Sequence, residues 1–506
     1  MIENFKAMVF VLLLATCVFA VTKPVMLRYT SEGDWKRRRN AWMALTIVAY
    51  LSPSFWLYAL IAAPVFVWTS RKDSNPVAVY LLLLQVIPQI SVPIPVVGIK
   101  TLFSLDNYRL LSIFVLLPAL WRTPADGQVN GVKTSRLLGA LILAYGALLV
   151  INQSSYTSFT VSLRSTFLYI VDVYLVYVAV SKWSTTRHSI SDALASLFLA
   201  CAILAIIAVF ESTKHWLVYA LIEQRWTGVV NVFYLVRYGM LRPSASSGNV
   251  LVLGYLLAIG LGLWLEIKKE SESRTRNLTI WLAFIVGLIL TYSRGPWAGA
   301  VVIALTRMFF SEASLKAHIK TVGSIAVVAI CIGLSPLGDR IIRALPFFGG
   351  TEGIDTIIYR ERLLERSLTL IKENLFFGDQ LVLAKMEDLR QGMGIIDIVN
   401  TYVEVTLYNG IVGLALFLSP LLIALARVYG GFGKVNRLDP ALARLGVTIS
   451  SCIVGTLVML GTCSFIFAYQ KIYYVLIGLS AGYVMAARAE LLRGQDLIGA
   501  VSARAR

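Results

Sequence analysis

Residues 190–210 read ISDALASLFLACAILAIIAVF, and Asp192 is the only charge among them. A run of that length and apolarity, as a helix rising 1.5 Å per residue, crosses the roughly 30 Å hydrocarbon layer of a bilayer. Similar runs recur on both sides of it, at 6–22, 41–70, 77–98, 103–121, 136–152, 161–181, 246–266, 277–292, 296–310, 321–337, 402–427, 445–466 and 470–487. The run 41–70 is too long for one ordinary span and is broken by Ser52-Pro53-Ser54, so it reads as a helical hairpin or one long kinked helix. The pattern predicts an all-α polytopic membrane protein of about 12–14 transmembrane helices.

Composition agrees. Of the 506 residues, 58% are hydrophobic and 15% charged, with a mean hydropathy of +0.74, far from the roughly 25% charged content of soluble domains. A soluble multidomain enzyme, a disordered chain and a small disulfide scaffold are excluded. The 46 basic against 28 acidic residues give a net charge of +18. In a polytopic protein this restates the accumulation of Lys and Arg in short cytoplasmic loops rather than a nucleic-acid surface, so no nucleic-acid partner is expected. Cys17, Cys201, Cys331, Cys452 and Cys463 all sit in apolar runs without CxxC spacing and read as small core residues. His188, His215 and His318 are too scattered for a metal-ligand cluster, and no metal or other cofactor is expected. The first run lacks an A-x-A-like cleavage site and reads as a retained membrane helix.

Basic clusters at Lys36–Arg39, Arg71-Lys72, 122–136, 182–187, 268–276, 307–320, 427–444 and the tail ending at Arg506 fall on alternate connections if 41–70 crosses twice. This predicts N-terminal transmembrane helices over 1–210, a periplasmic loop at 211–245, central helices over 246–337, a large periplasmic loop at 338–401, C-terminal helices over 402–487 and a basic cytoplasmic tail at 488–506. The large loop carries an amphipathic helical pattern from Arg360 to Lys372, with Leu363, Leu364, Ser367, Leu368 and Ile371 on one side. No Walker A, GxGxxG or H-E-x-x-H motif is present, so any chemistry must draw on a pre-activated substrate.

Arginines gather at the periplasmic helix ends. Arg237 and Arg242 precede a helix starting near Ser246, and Arg294 lies in Tyr292-Ser293-Arg294-Gly295-Pro296, a turn whose Pro296 suits the first helical position. Guanidinium groups beside unpaired helix N–H groups favour a phosphate or pyrophosphate; a lone arginine there would simply snorkel to the interface. Asp106 and Arg109 can pair at i, i+3, while Arg164, Asp172 and Glu211 fall in or beside apolar runs. These read as buried structural pairs, or, for Arg109 or Arg164, as part of a lipid-carrier groove. Tyr402 and Trp226 are candidates for stacking on sugars.

These segments resemble a family. Tyr292–Trp297 is similar to the "SRG" turn of the O-antigen ligase and Wzy-type polysaccharide polymerase superfamily. Arg242–Asn249 resembles its Arg/Gly/Asn helix entry, and Glu373-Asn374-Leu375-Phe376-Phe377-Gly378 its "ENPxxG" turn, with Leu375 in place of Pro. Val399-Asn400-Thr401-Tyr402-Val403 with Tyr408-Asn409-Gly410-Ile411-Val412-Gly413-Leu414 resembles its "HNxYL…xGxxGL" segment. The likeness covers roughly 235–430.

The resemblance implies a GT-C-like, inner-membrane glycosyltransferase that moves a glycan from an undecaprenyl-pyrophosphate carrier to a saccharide acceptor on the periplasmic face without metal. It implies Arg242 and Arg294, with Arg237 and Arg360 or Arg362, as pyrophosphate ligands, and Asn400 and Tyr402 as residues of the acceptor loop. The family's loop His is matched here by Val399, which leaves Asp397 and Glu404 as candidate bases; Asp397 could equally cap the helix containing Tyr402. Membrane lipids and export machinery are the further partners it implies. Val399 favours polymerase over lipid A-core ligase. The rival from another class is a precursor flippase, whose signature would be broken midplane helices in paired halves, and a non-catalytic assembly subunit is a third reading.

Overall fold

The structure is a computed structural model that describes residues 2–94, 103–124, 133–228, 234–237, 239–268, 273–310, 354–390 and 396–504. The expected helix at 321–337, Cys331, His318 and the first part of the large loop lie outside the described residues. The described residues are mostly helical, with two short antiparallel ribbons among them pairing Val92–Pro93 with Ser104–Leu105 and Val236–Arg237 with Met240–Leu241. In chain order the helices are α1 Ile2–Met26, α2 Glu32–Leu51, α3 Phe55–Lys72, α4 Pro76–Leu83, α5 Asn107–Leu120, α6 Lys133–Ser154, α7 Phe159–Trp183, α8 Arg187–Lys214, α9 Ala220–Thr227, α10 Val250–Ile267, α11 Arg274–Leu290, α12 Arg294–Phe309, α13 Ile354–Glu373, α14 Thr401–Leu438, α15 Pro440–Leu460 and α16 Ala468–Arg504.

Among the described residues, eight helices are long and apolar enough to cross a membrane: α1, α6, α7, α8, α10, α14, α15 and the Ala468–Arg493 part of α16. The all-α polytopic class follows. Helix starts sit where short polar side chains precede apolar runs: Ser31, Ser54, Asn75, Asn249, Ser273, Asn400 and Asp439 each accept a first-turn backbone N–H.

The run 41–70 is two helices. Pro53 lacks an N–H, Ser54 caps α3, and Arg38 near the start of α2 bonds Asp73 just beyond the end of α3 at 2.7 Å, so the pair folds back on itself. The run 77–98 is not a span. Its helix stops at Leu83 and the chain leaves through an extended ribbon at Val92–Pro93, because Pro88 and Pro93 remove N–H groups that a continuing helix would use. Helices α5 and α7 each widen into a π-turn, at Ser112–Leu116 and Ile170–Tyr174.

Ion pairs gather the basic connections at one end of the bundle. Arg38 spends all three nitrogens on Asp73, Asp192 and Ser196. Arg122 donates to the carbonyl of Ser70, Arg187 reaches Asp439, and Arg307 and Arg444 share Glu266. The other end collects further turns, among them 52–54, 215–228, 239–249, 291–293 and 461–467. Inside the bundle Arg109 and Lys471 bracket Asp172, at 2.9 and 2.6 Å, while Asp106 caps α5 and lies 3.5 Å from Arg109. These intramembrane charges are thus paired structurally.

Candidate functional site

The site is built on the second end, from three turns. The first is Thr291-Tyr292-Ser293, between α11 and α12. Tyr292 has φ of 47°, uncommon for a residue with a side chain, and the chain reverses sharply there. Arg242 donates from Nε to the Thr291 carbonyl at 2.9 Å and from Nη2 to Ser293 Oγ at 3.0 Å, while Arg237 donates to the Tyr292 carbonyl at 3.2 Å. Arg237 and Arg242 therefore both bond the turn that leads into Arg294. Ser293 occupies the N-cap position and Arg294 is the first helical residue, so Pro296 stands third rather than first, still within the turn whose N–H groups have no helical acceptor.

Neither Arg237 nor Arg242 pairs with a carboxylate among the described residues. Nη1 of Arg242 and both Nε and Nη2 of Arg237 have no acceptor there. Burial, and then the charge of Arg237, lower the Arg242 guanidinium to about 10, so it stays charged at neutral pH. Two partly buried cations without a carboxylate partner among the described residues are the arrangement of an anion site. Glu211, at the end of α8, positions them: its buried carboxylate accepts the N–H groups of Val218, Ser244 and Ala245 at 3.1, 3.0 and 2.8 Å and so pins the segment that follows Arg242.

The second turn is Gly461–Phe467, between α15 and α16. A Cβ on Gly295 would lie 1.9 Å from Thr462 Oγ1, so the start of α12 rests directly on this turn. Cys463 accepts the Thr401 hydroxyl at 2.6 Å, and Ser464 donates to Asp397 Oδ1 and to the Ile398 carbonyl, both at 3.3 Å. The turn thereby joins the arginine corner to the segment carrying Asp397 and Glu404. Nothing in the sequence flagged it, because Thr462, Cys463 and Ser464 are small residues at the end of an apolar run.

Asp397 is not the cap. Asn400 caps α14, accepting the N–H groups of Tyr402 and Val403, which spends its carbonyl oxygen on the helix and leaves the Asp397 carboxylate available. Burial raises the Asp397 carboxyl above the usual carboxylate range, opposed by the Ser464 hydroxyl and the charge of Arg360. Arg360 thus lies within electrostatic reach of Asp397. Arg362, two residues and about 200° further round α13, is exposed on the other flank, so the structure separates these two. The buried stripe of α13 is Leu363, Ser367 and Leu370, whereas Leu364 and Leu368 are exposed. The expected stripe was rotated toward residues that the neighbouring chain leaves uncovered. Tyr402 donates its hydroxyl to the Leu457 carbonyl, and Trp226 donates to the Ser52 carbonyl against Phe55 and Tyr58; both are tied into the scaffold.

The third turn is Leu375–Leu381. Helix α14 breaks at Gly410, with φ of 63° and ψ of −169°, conformations open essentially to glycine alone. The break frees the Leu407 and Tyr408 carbonyls and the N–H groups of Ile411 and Val412. Asp379 N and Gln380 Nε2 take the two carbonyls at 2.8 Å each, and the Leu375 and Phe376 carbonyls take the two N–H groups at 2.8 and 3.2 Å. The two glycine-bearing segments singled out in the sequence are therefore docked on each other.

Beside this junction lies a cavity of about 370 Å³ lined by Tyr145, Gln153, Tyr169, Gln380, Glu404 and Asn409, among others. Glu404 Oε2 is buried and has no hydrogen-bond partner among the described residues. A carboxylate oxygen, three carboxamides and tyrosine rings suit a hydroxyl-rich ligand. Gln153, Gln380 and Tyr169 gave no sequence signal, because they come from elements far apart in the chain. Among the described residues no group of three His, Cys, Asp or Glu side chains could hold a metal ion. No known family model matches the chain, and no curated protein matches it.

Proposed function

We propose that the protein is an inner-membrane glycosyltransferase of GT-C-like type, which takes glycan from an undecaprenyl-pyrophosphate carrier and polymerises surface or exopolysaccharide repeat units on the periplasmic face. The observation that carries this reading is the partly buried Arg237–Arg242 pair, lacking a carboxylate partner among the described residues and joined through one turn to Asp397 and, beyond it, the Glu404 cavity. Such a pair accepts a pyrophosphate, and its contacts strengthen as the leaving group gains charge, which favours the transition state over the bound donor. The acceptor hydroxyl forms its bond to the anomeric carbon as the bond from that carbon to the pyrophosphate oxygen breaks. The hydroxyl proton passes to Asp397 or Glu404, and the carrier pyrophosphate leaves on Arg237, Arg242 and Arg294, with Arg360 beside Asp397. Burial suits Asp397 to taking a proton, since it raises that carboxyl.

The test uses purified protein, a bactoprenol-pyrophosphate-linked oligosaccharide as sole substrate and EDTA throughout, comparing wild type with Arg294→Ala on a gel. A carrier-linked ladder that the substitution abolishes is the expected result. Transfer appearing only after a lipid A-core acceptor is added moves the assignment to an O-antigen ligase. Substrate crossing proteoliposome membranes without either product makes the protein a flippase and refutes the transferase reading.

A further inference from the structure

We infer that the turn Leu375–Leu381 is inserted into the acyl-chain edge of the bilayer, so that this connection is anchored in lipid rather than held free in water. The inference stands whether or not the protein is a transferase.

The first argument is depth. The turn is hydrogen-bonded to α14 at Leu407–Val412, and Gly410 lies about 14 Å along the axis from Thr401 at 1.5 Å per residue. From Ile411 the helix runs IVGLALFLSPLLIALA to Arg427. Counting back from Arg427 by the roughly 20 residues that a bilayer requires reaches Leu407. The turn therefore lies level with the outermost apolar turn of a membrane-crossing helix.

The second argument is composition against exposure. Phe376 and Phe377 are 62% and 59% exposed, and Leu375 and Leu381 are exposed as well. On a water-facing loop that apolar surface would be costly, at about 25 cal/mol per Å². Here it continues the apolar surfaces of two spanning helices: Ile411 of α14 is exposed beside it, and so is Ile151 of α6, whose neighbour Asn152 donates to the Phe377 carbonyl at 3.0 Å.

The third argument is the backbone. Non-helical chain is tolerated at membrane depth only where its polar groups are paired within the protein. The carbonyls of Leu375, Phe376 and Phe377 accept from Ile411, Val412 and Asn152, and the N–H groups of Gly378 and Asp379 donate to Asn374 and Leu407. Lys385, bonded to Asp379 at 2.7 Å and itself exposed, marks the polar edge, with a stem long enough to snorkel.

The test places a nitroxide at Phe376→Cys in a Cys17→Ser, Cys331→Ser background, with the unmutated background labelled in parallel. The full chain is reconstituted in nanodiscs of phosphatidylethanolamine and phosphatidylglycerol. Collision with oxygen, which partitions into hydrocarbon, is compared with collision with a water-soluble nickel chelate. Ile411→Cys on the spanning helix and Glu361→Cys on the exposed face of α13 are the references. The expected result is that residue 376 follows residue 411, with oxygen contact well above chelate contact. A chelate accessibility equal to that of residue 361 overturns the inference. Leu375→Cys, also exposed in the same turn, repeats the measurement if the first variant is not recovered folded.

Discussion

Replacing Gly410 by Ala tests whether the break in α14 is a built feature of the fold. A Cβ at 410 would lie 2.2 Å from both the carbonyl carbon and the carbonyl oxygen of Phe376, and these are backbone atoms that cannot rotate away. Two costs add. Holding a residue with a side chain at φ 63°, ψ −169° costs about 1–3 kcal/mol. Moving the 375–381 turn off the helix gives up the bonds from Ile411 and Val412 and those to Leu407 and Tyr408, at about 1 kcal/mol each; losing half of them brings the total to roughly 3–5 kcal/mol. Gly430 supplies a matched control in the same helix, with nothing within 4 Å of its Cβ position, and Gly430→Ala should be neutral or gain up to about 1 kcal/mol. SDS titration in mixed micelles, followed by circular dichroism, reads both. If Gly410→Ala unfolds at the same SDS fraction as Gly430→Ala, the docking of the two segments as described is wrong.

Arg38→Ala leaves Asp73 and Asp192 buried without their cation and should cost about 3–5 kcal/mol in the same titration, while Lys36→Ala, exposed on the same helix, should shift it by no more than about 0.5 kcal/mol; equal effects would remove the case for a structural ion network. Arg242→Lys keeps the charge but cannot hold Thr291 and Ser293 together, and losing one charged hydrogen bond of about 1.5–3 kcal/mol predicts a roughly 10- to 100-fold slower transfer reaction; a lysine variant as fast as wild type would show that only charge matters there. For Asp397 the folded carboxyl holds its proton more tightly than the unfolded one, since burial raises it. Its contribution to stability is therefore complete below the ordinary carboxylate value of about 3.9 and is lost as pH rises through the raised folded value. Asp397→Asn should flatten that part of the stability profile above about pH 4, and an unchanged slope would mean that the carboxyl is not desolvated.

Much of the fold could be read from hydrophobic run length and from capping residues, because spans and N-caps are local. The cap of α14 was misplaced by three residues, at Asp397 instead of Asn400, whereas the alternation of basic connections brought 41–70 out as a hairpin that Arg38 and Asp73 close. Local reading failed where the decisive interaction came from elsewhere. Residues 77–98 are apolar enough for a span, yet Pro88 and Pro93 send the chain out as a ribbon. Leu364 and Leu368 fit the period of α13, but the face buried is chosen by what packs on it. The arginine corner was legible because its members share helix ends with turn-forming residues. The 461–467 turn was not, since Thr462 and Ser464 matter only through contacts with Gly295 and Asp397, more than 60 residues away in the chain.

The broken helix explains why the site sits where it does. A helix satisfies its own backbone, so an unbroken α14 would offer the outer edge of the bundle only side chains. Breaking it at Gly410 opens four backbone groups at the level where apolar surface begins, and the 375–381 turn must then be held there to pair them. Gln380 is consequently fixed, through the Tyr408 carbonyl, on the rim of the cavity that Glu404 lines from the preceding helical turns. One glycine thus couples the depth of a connecting turn to the placement of a cavity wall. Substitutions that loosen the turn should enlarge or empty the cavity before they disturb the arginine corner, which stands on α11, α12 and Glu211 and shares with it only the 461–467 turn.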